Sequence, residues 1–539
     1  MVQIKMSGES DSNIDVAIIG GGVAGLYCAY RLLTDSSQAH LRPMRSHEVH
    51  VFEATDRIGG RLWTHFFDET PNMPADLGGQ HIPIGHKNVL NLCRNHFGLD
   101  LIDVAPRPIL HYHRGQQFRF DKPDSIPYAL SSRELEIIKN NHNQPIYLIV
   151  DMIKKIVPEV ERTWPFASDA APDELVHVLR DARLEGMPLT EHGFANVMHK
   201  HLTSEADQML RIEVSASCVI GNWNCYDAIL GFLRNYGYTK HFRLSRGYGS
   251  LPQTLYDRVV QNDGQVHLSR RLLAANGQPD GRVRLYFRDP DQKESVVVAN
   301  HVVLAMPPRA FELIDDDSVI FESPQFRKDL RSVRGIAASK IFLVYPKPWW
   351  ESVDRGPGKL STNARHLMMT LTDMPMRLCY YMGSETDTGS SLLMASYADE
   401  LSVLFWSPYV PAPARSTRLR GFGAKPSHDM RRLSDEINRQ LRIVHGVPIP
   451  DPINAIYCDW SSDPFGAGVH QWNPHVASWE AIQRIRKPLD NFNILICGEA
   501  FSDHQGWVEG AINTAERVLQ DHFGLPRADW IPADYDLGP

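Results

Sequence analysis

Gly20, Gly22 and Gly25 form a G-x-G-x-x-G turn in "DVAIIGGGVAGLYCAY", between a short apolar run and a segment with helical spacing. Such a turn can cradle a dinucleotide. Gly20 permits the sharp bend, Gly22 lets the backbone approach a pyrophosphate, and Gly25 lets the helix pack closely on the strand. The helix start adds free amides and a positive dipole end for the phosphates. Glu53 closes the next apolar run, "EVHVFEA", where a carboxylate can accept both hydroxyls of a ribose. It falls later than the usual spacing of about 20 residues, a delay that the polar insert at 34–47 accounts for. Directly after it, "EATDRIGGRLWTH" carries Ala54, Arg57, Gly59, Gly60 and Arg61. A nicotinamide dinucleotide has no need of a second Gly/Arg turn there. A flavin dinucleotide lying lengthwise does, because its pyrophosphate and ribityl chain run past that loop.

Two more stretches carry chemistry. "ADLGGQHIP" sets Gly78 and Gly79 before Gln80 and His81, and adjacent glycines admit a flat group close to the backbone. Lys340 sits in "ASKIFLVY", an apolar run in which an ammonium is costly unless it has partners. Trp460, Tyr380, Tyr381, Tyr397 and Trp507 are candidates to wall a substrate, and each fits an aromatic core equally well. Plainer readings stand beside all of these. Glycine turns serve packing, a glutamate at a strand end is commonly solvated, and strand lysines usually reach water.

The elements that must position these residues follow from periodicity. "DVAII" (15–19), a helix over 24–33 and a strand over 48–54 make a βαβ unit. Helix-like apolar spacing then runs from about 130 to 235. Strand signals return at 283–287 and 300–308, a second sheet is expected from 338–345 and 391–397, and a final strand over 494–500 precedes a helix over 509–519. The Pro-, Gly- and Arg-rich stretch 407–428 reads as a long loop, either a lid or a solvated insertion.

Composition excludes several classes. A net charge of −8 with scattered basic residues argues against nucleic-acid or anionic-membrane binding. The seven cysteines (Cys28, Cys93, Cys218, Cys225, Cys379, Cys458 and Cys497) form no C-x-x-C pair, so neither a disulfide framework nor a metal site is expected. The start, "MVQIKMSGESDSN", lacks the apolar core of a secretory leader. No apolar run approaches about 18 residues, and residues 526–539 read as a polar tail. A cytoplasmic protein is expected.

The motifs "DVAIIGGGVAGL", "EATDRIGGR", "DLGGQ", "GYGSLPQTL", "VVLAMPP", "SKIFLVYPKPWW" and "ICGEAFSDHQGWVEGAINTAE" occur in this order. They resemble the flavin-containing amine oxidase superfamily, which includes monoamine, polyamine and L-amino acid oxidases. The resemblance implies an α/β (α+β) fold, with a Rossmann-like FAD-binding domain, a mixed-sheet substrate domain and a helical subdomain. Its segments would be 1–110, 239–330 and 456–525 for FAD, 111–130 and 331–455 for substrate, and 131–238 for the helices. It implies that Val23, Ala24, Glu53, Arg61, Gly78, Gly79 and Gln80 grip FAD, with Leu272 on the adenine side. Glu499, Gly506, Trp507, Val508 and Ala511 would lie along the ribityl chain and ring. No cysteine follows Glu499, so the resemblance implies noncovalent FAD.

By the same resemblance, Lys340 holds a water at the flavin and assists reoxidation by O2. "TDMPMRLCYY" and "ASYADE" are similar to the L-amino acid oxidase branch, in which Tyr397 would bind a substrate carboxylate. Tyr380 and Tyr457 would line the pocket, with the Gly506 carbonyl and Trp507 beside the amine. One departure stands out: that branch usually carries an arginine where this chain has His81. His81 could form a weaker, pH-dependent carboxylate contact, or the substrate could lack a carboxylate. The expected function is oxidation of a large apolar or aromatic L-amino acid by a homodimer, giving a 2-oxo acid, ammonia and hydrogen peroxide. A mono- or polyamine oxidase, and a non-catalytic FAD protein, are the alternatives.

Overall fold

The apolar run before Gly20 becomes β1 (Ser12–Ile19), in which Ile14 and every residue from Val16 to Ile19 are buried. A computed structural model describes residues 12–35, 48–104, 108–163, 173–214, 221–236, 240–351, 369–410 and 430–539. Most of the insert at 34–47, Cys218 with the rest of 215–220 in the helical reading, and most of the loop at 407–428 lie outside the described residues, as do the first eleven residues. Helix α1 (Val23–Asp35) follows β1, and β2 (Val49–Phe52) pairs parallel to it. Every residue of α1 from Val23 to Leu32 is buried. The helix is walled by Val508–Phe523 on one side and Ser250–Gln261 on another. Buried Arg31 is satisfied by Glu516 and by the Pro526 carbonyl.

The first sheet runs Gln265–His267, β2, β1, Glu294–Leu304, Val283–Arg288, Arg271–Gly277. Its long strand, Glu294–Leu304, changes partner midway: its first part pairs antiparallel with Val283–Arg288 and its end pairs parallel with Ile494–Ile496. The neighbouring parallel strands end at Ile19, Phe52 and Leu304, and the crevice outside such ends is where ligands bind in open α/β sheets.

A second seven-stranded sheet orders Asn454–Asp459, Ala338–Tyr345, Ser391–Asp399, Leu378–Ser384, Met369–Thr372, Ile109–His113 and Gln116–Phe118. Ala338–Tyr345 is buried at every position. Ile341, Leu343 and Tyr345 face the amphipathic helix Arg431–His445, while Phe342 and Val344 face Phe67, Leu77 and Trp460. The region expected to be helical is so, in short helices from Ser132–Asn140 to Cys225–Gly231 around their own core, interrupted by a small hairpin at Arg183–Pro188.

Two expectations change. The strand expected over 494–500 is only Ile494–Ile496, because Gly498 (φ 139°) turns the chain into the short helical turn Glu499–Phe501. The stretch 526–539 is not a loose polar tail. Ala528, Ile531 and Leu537 form their own buried cluster, and Trp530 packs edge-on against Tyr27.

Candidate functional site

One elongated cavity runs from the ends of the parallel strands to the second sheet, and most of the expected residues line it. At its first end are Gly20, Gly22, Val23, Ala24, Glu53, Ala54 and Leu272, joined by Phe52, Arg270 and Arg271. A Cβ on Gly22 would meet nothing within 4 Å and would project into the space that a pyrophosphate needs. Gly20 and Gly25 answer to packing instead. Their Cβ atoms would come within 2.4 Å of the Ala305 carbonyl and 2.0 Å of the Gly20 carbonyl. Gly25 therefore does not face the cavity. The Glu53 carboxylate is buried, accepting from Gly21 N at 2.7 Å and from Thr55 N and Oγ1, both at 2.8 Å. It is thereby fixed in place at the cavity wall. Arg57 lies behind the turn, donating to the Ile58 and Gly60 carbonyls and stacked over Trp63.

Halfway along, Gly60, Arg61, Val508 and Ala511 face Ala305, Met306 and Pro307. Arg61 donates to the Gly468 carbonyl at 3.0 Å and pairs with Glu499 at 2.8 Å. Glu499 also accepts from His470 N at 3.1 Å and Gly506 N at 2.6 Å. Burial pushes its carboxyl up, but the Arg61 and His470 charges and hydrogen bonds outweigh that and hold it well below the ordinary carboxylate range. A fixed anion thus ties three segments together at mid-cavity.

The far end gathers Gly78, Gly79, Lys340, Tyr397, Trp460, Gly506 and Trp507. Lys340 is 4% exposed, and its three donors face three acceptors: the Gly78 carbonyl at 2.7 Å, the Asp76 carbonyl at 3.0 Å and Gln80 Oε1 at 3.4 Å. Burial lowers its pKa to about 8, against the opposing pull of the Asp76 carboxylate. Its ammonium lies 5.2 Å from the Tyr397 ring centre on the neighbouring strand. Gly78 and Gly79 both line the cavity, and Gly78 has a second cause beyond the one its sequence implies. A Cβ on Gly78 would lie 1.8 Å from the Arg61 carbonyl, so the glycine lets two turns dock on each other. Trp460 Nε1 donates to the Leu77 carbonyl at 2.8 Å and braces the same turn.

Five expected residues near this end fall elsewhere. Tyr457 pairs with Ile341 and shares its face, so it points into the core beneath helix Arg431–His445, away from Lys340. The strand's period of two puts them on opposite sides, so Tyr457 does not line the pocket as expected. Tyr381 joins the same core, within 2.6 Å of His445 Nε2. Gln80 touches Lys340 without lining the cavity. His81 and Tyr380 also lie off the lining, edge-on at 5.7 Å, with His241 at 6.2 Å from His81. Burial, aided by His241 and Lys340, lowers the His81 pKa to about 3. That burial disfavours the cationic form on which the pH-dependent contact expected of His81 depends.

Sequence reasoning missed Arg270, Arg271, Ile314, Ser339, Phe465 and Val469, which also line the cavity. Only Arg270 and Arg271 carried a signal, as a basic pair immediately before Leu272. An open Gly22 cradle, a helix start and a buried acid at one end, with a partnered ammonium and aromatics at the other, fit a flavin dinucleotide lying lengthwise.

Comparison with known proteins agrees. The family described as "Flavin containing amine oxidoreductase" matches residues 23–521. Aplysianin-A of Aplysia kurodai is 24% identical, over 96% of this chain and 91% of its own length. Achacin of Lissachatina fulica is 23% identical, over 95% and 93%. An L-amino-acid oxidase of Demansia vestigiata is 22% identical, over 97% and 88%. Among solved structures, wild-type putrescine oxidase bound to putrescine matches with a TM-score of 0.63 at 16% identity, covering 96% of this chain and all of that one. That last likeness shows a shared fold.

Proposed function

The chain belongs to the flavin containing amine oxidoreductase family with FAD as its cofactor, and from that premise we propose that it is an L-amino acid oxidase. Bound FAD supplies the two-electron acceptor for amine oxidation and returns the electrons to O2 as hydrogen peroxide. The protein's residues do the rest. Gly22, the start of α1, Glu53 and Arg61 hold the dinucleotide noncovalently. The Gly506 carbonyl accepts a hydrogen bond from the substrate amine, Trp507 and Tyr397 wall it, and the Tyr397 hydroxyl donates to its carboxylate. The Asp76 and Gly78 carbonyls keep Lys340 in place. Its longest contact, to Gln80, is the donor free to turn toward a water in the cavity. The imine product is hydrolysed to a 2-oxo acid and ammonia.

The observation that carries this reading is a buried, partnered ammonium sharing one end of the cavity with Tyr397 and the Gly506–Trp507 pair. Aromatic walls favour large apolar or aromatic side chains. The proposal includes a cytoplasmic homodimer, supported as to compartment by the six described cysteines, all buried and unpaired. It also includes the division into interleaved FAD and substrate segments, which the strand order of the two sheets supports. Among the described residues, no helix is long and apolar enough to cross a membrane.

A second reading has one observation in its favour. Burial disfavours a cationic His81, and no arginine lines the cavity beside Tyr397 among the described residues, so a substrate without a carboxylate fits too. A hydrogen peroxide screen across the twenty L-amino acids, tyramine and putrescine separates the two. Turnover of apolar L-amino acids is the expected result. Turnover of amines alone selects the second reading, and silence throughout with FAD bound removes both.

A further inference from the structure

Trp507 is held from behind by residues that never reach the cavity. Its ring meets His86 edge-on at 5.0 Å. His86 is 1% exposed, its Nε2 lies 2.7 Å from Asn235 Oδ1, and its ring meets His504 edge-on at 5.7 Å. His504 Nε2 in turn lies 3.3 Å from Arg234 Nη1. Arg234 is buried, donates to Asp503 Oδ2 at 2.7 Å and faces Asp536 at 3.5 Å. Two carboxylates on one buried guanidinium form a rigid clamp, placed directly behind the 503–507 turn.

The stretch 535–538 closes that clamp on both flanks. On one side, Asp536 faces Arg234, and Gly538 packs so tightly that a Cβ would lie 2.7 Å from Asp503 Oδ1. Arg517 fixes the Gly538 carbonyl with two hydrogen bonds, at 2.8 and 3.0 Å. On the other side, Tyr535 donates to Glu509 at 2.5 Å, and Glu509 accepts from Asn88 N and Val89 N, both at 2.9 Å. The segment carrying His86 and the segment carrying Trp507 are thereby locked to the same four residues. Arg234, Asp503 and Asp536 do not line the cavity, so dinucleotide binding does not account for them.

We propose that Arg234 is a positioning residue for Trp507: clamped by Asp503 and Asp536, it sets the depth at which the indole enters the substrate end. This rests on the reading of Trp507 as a substrate wall. A buried arginine need not act on a neighbour to be retained, so the test must separate positioning from folding.

The holoenzyme variants are Arg234→Lys, which keeps the charge and loses the planar fork, Asp536→Asn, Trp507→Phe and the double variant Trp507→Phe with Arg234→Lys. FAD content is measured first. Arg234→Lys is expected to raise KM by roughly ten- to a hundredfold, with a smaller change in kcat. Asp536→Asn should move KM the same way by less. The double variant should be no worse than Trp507→Phe alone, since coupled sites are non-additive. Visible circular dichroism of the bound FAD, read without substrate, should shift alike in Arg234→Lys and Trp507→Phe. Full additivity in KM, or a dichroism band unmoved by Arg234→Lys, would overturn the proposal. If no amine or amino acid turns over, the functional reading fails on its own and the dichroism comparison still decides this one.

Discussion

The two ends of the cavity are built by different means. The dinucleotide end is made of backbone: glycine turns, a helix start and one carboxylate fixed by two neighbouring residues. The substrate end gathers residues from five separate segments, and the charges there and at mid-cavity are compensated inside the protein, Lys340 by carbonyls and Glu499 by Arg61 and His470. A backbone cradle grips a constant ligand and depends little on its surroundings. A buried-charge site sets reactivity, and it fails when one partner is lost.

Variants that remove one partner should therefore do most harm where charge is buried. Glu499→Gln leaves Arg61 without its carboxylate, and the expected loss is about 3–5 kcal/mol of stability, read from thermal unfolding of the holoenzyme. Lys340→Met should slow flavin reoxidation by O2 about a hundredfold while FAD affinity changes little, as rapid mixing of the reduced enzyme with O2 would reveal. Lys340 also has a stability signature. Its pKa is lowered from 10.5 to about 8, so between those values the unfolded chain holds the extra proton, and stability rises with pH across that window. Lys340→Met should abolish the rise.

At the backbone end the expected effects are smaller and confined to binding. Gly22→Val fills open space in the cradle and should weaken FAD by about 1–3 kcal/mol, roughly ten- to a hundredfold, measured by flavin fluorescence titration. Turnover at saturating FAD should stay near that of the parent. Smallest of all is His81→Phe. A neutral, buried imidazole contributes no titration near neutrality, so the pH profile of kcat/KM should be unchanged. Loss of an ionisation from that profile would show that His81 carries charge after all.

This contrast also explains what the sequence made legible. The dinucleotide end was readable because its determinants are contiguous and their spacing is dictated by backbone geometry: Gly20, Gly22, Glu53 and Arg61 all stand in quoted motifs. The strand Ala338–Tyr345 was readable as an apolar run, and Lys340 as the exception within it. The side on which Tyr457 points was not readable, because pairing register decides it. The charge state of His81 depends on burial by residues far along the chain. The close neighbour that requires glycine at 78, the Arg61 carbonyl, is tertiary too. The order of residues 526–539 was hidden because its anchors, Arg31, Arg234, Glu509 and Glu516, lie in other elements.

The most direct measurement is anaerobic titration of the purified yellow protein with L-phenylalanine and, separately, with phenethylamine, followed by admission of O2. The expected result is bleaching by the amino acid, then return of colour with one hydrogen peroxide per substrate oxidised. Bleaching by phenethylamine alone, or a protein that takes up no FAD, would contradict the account.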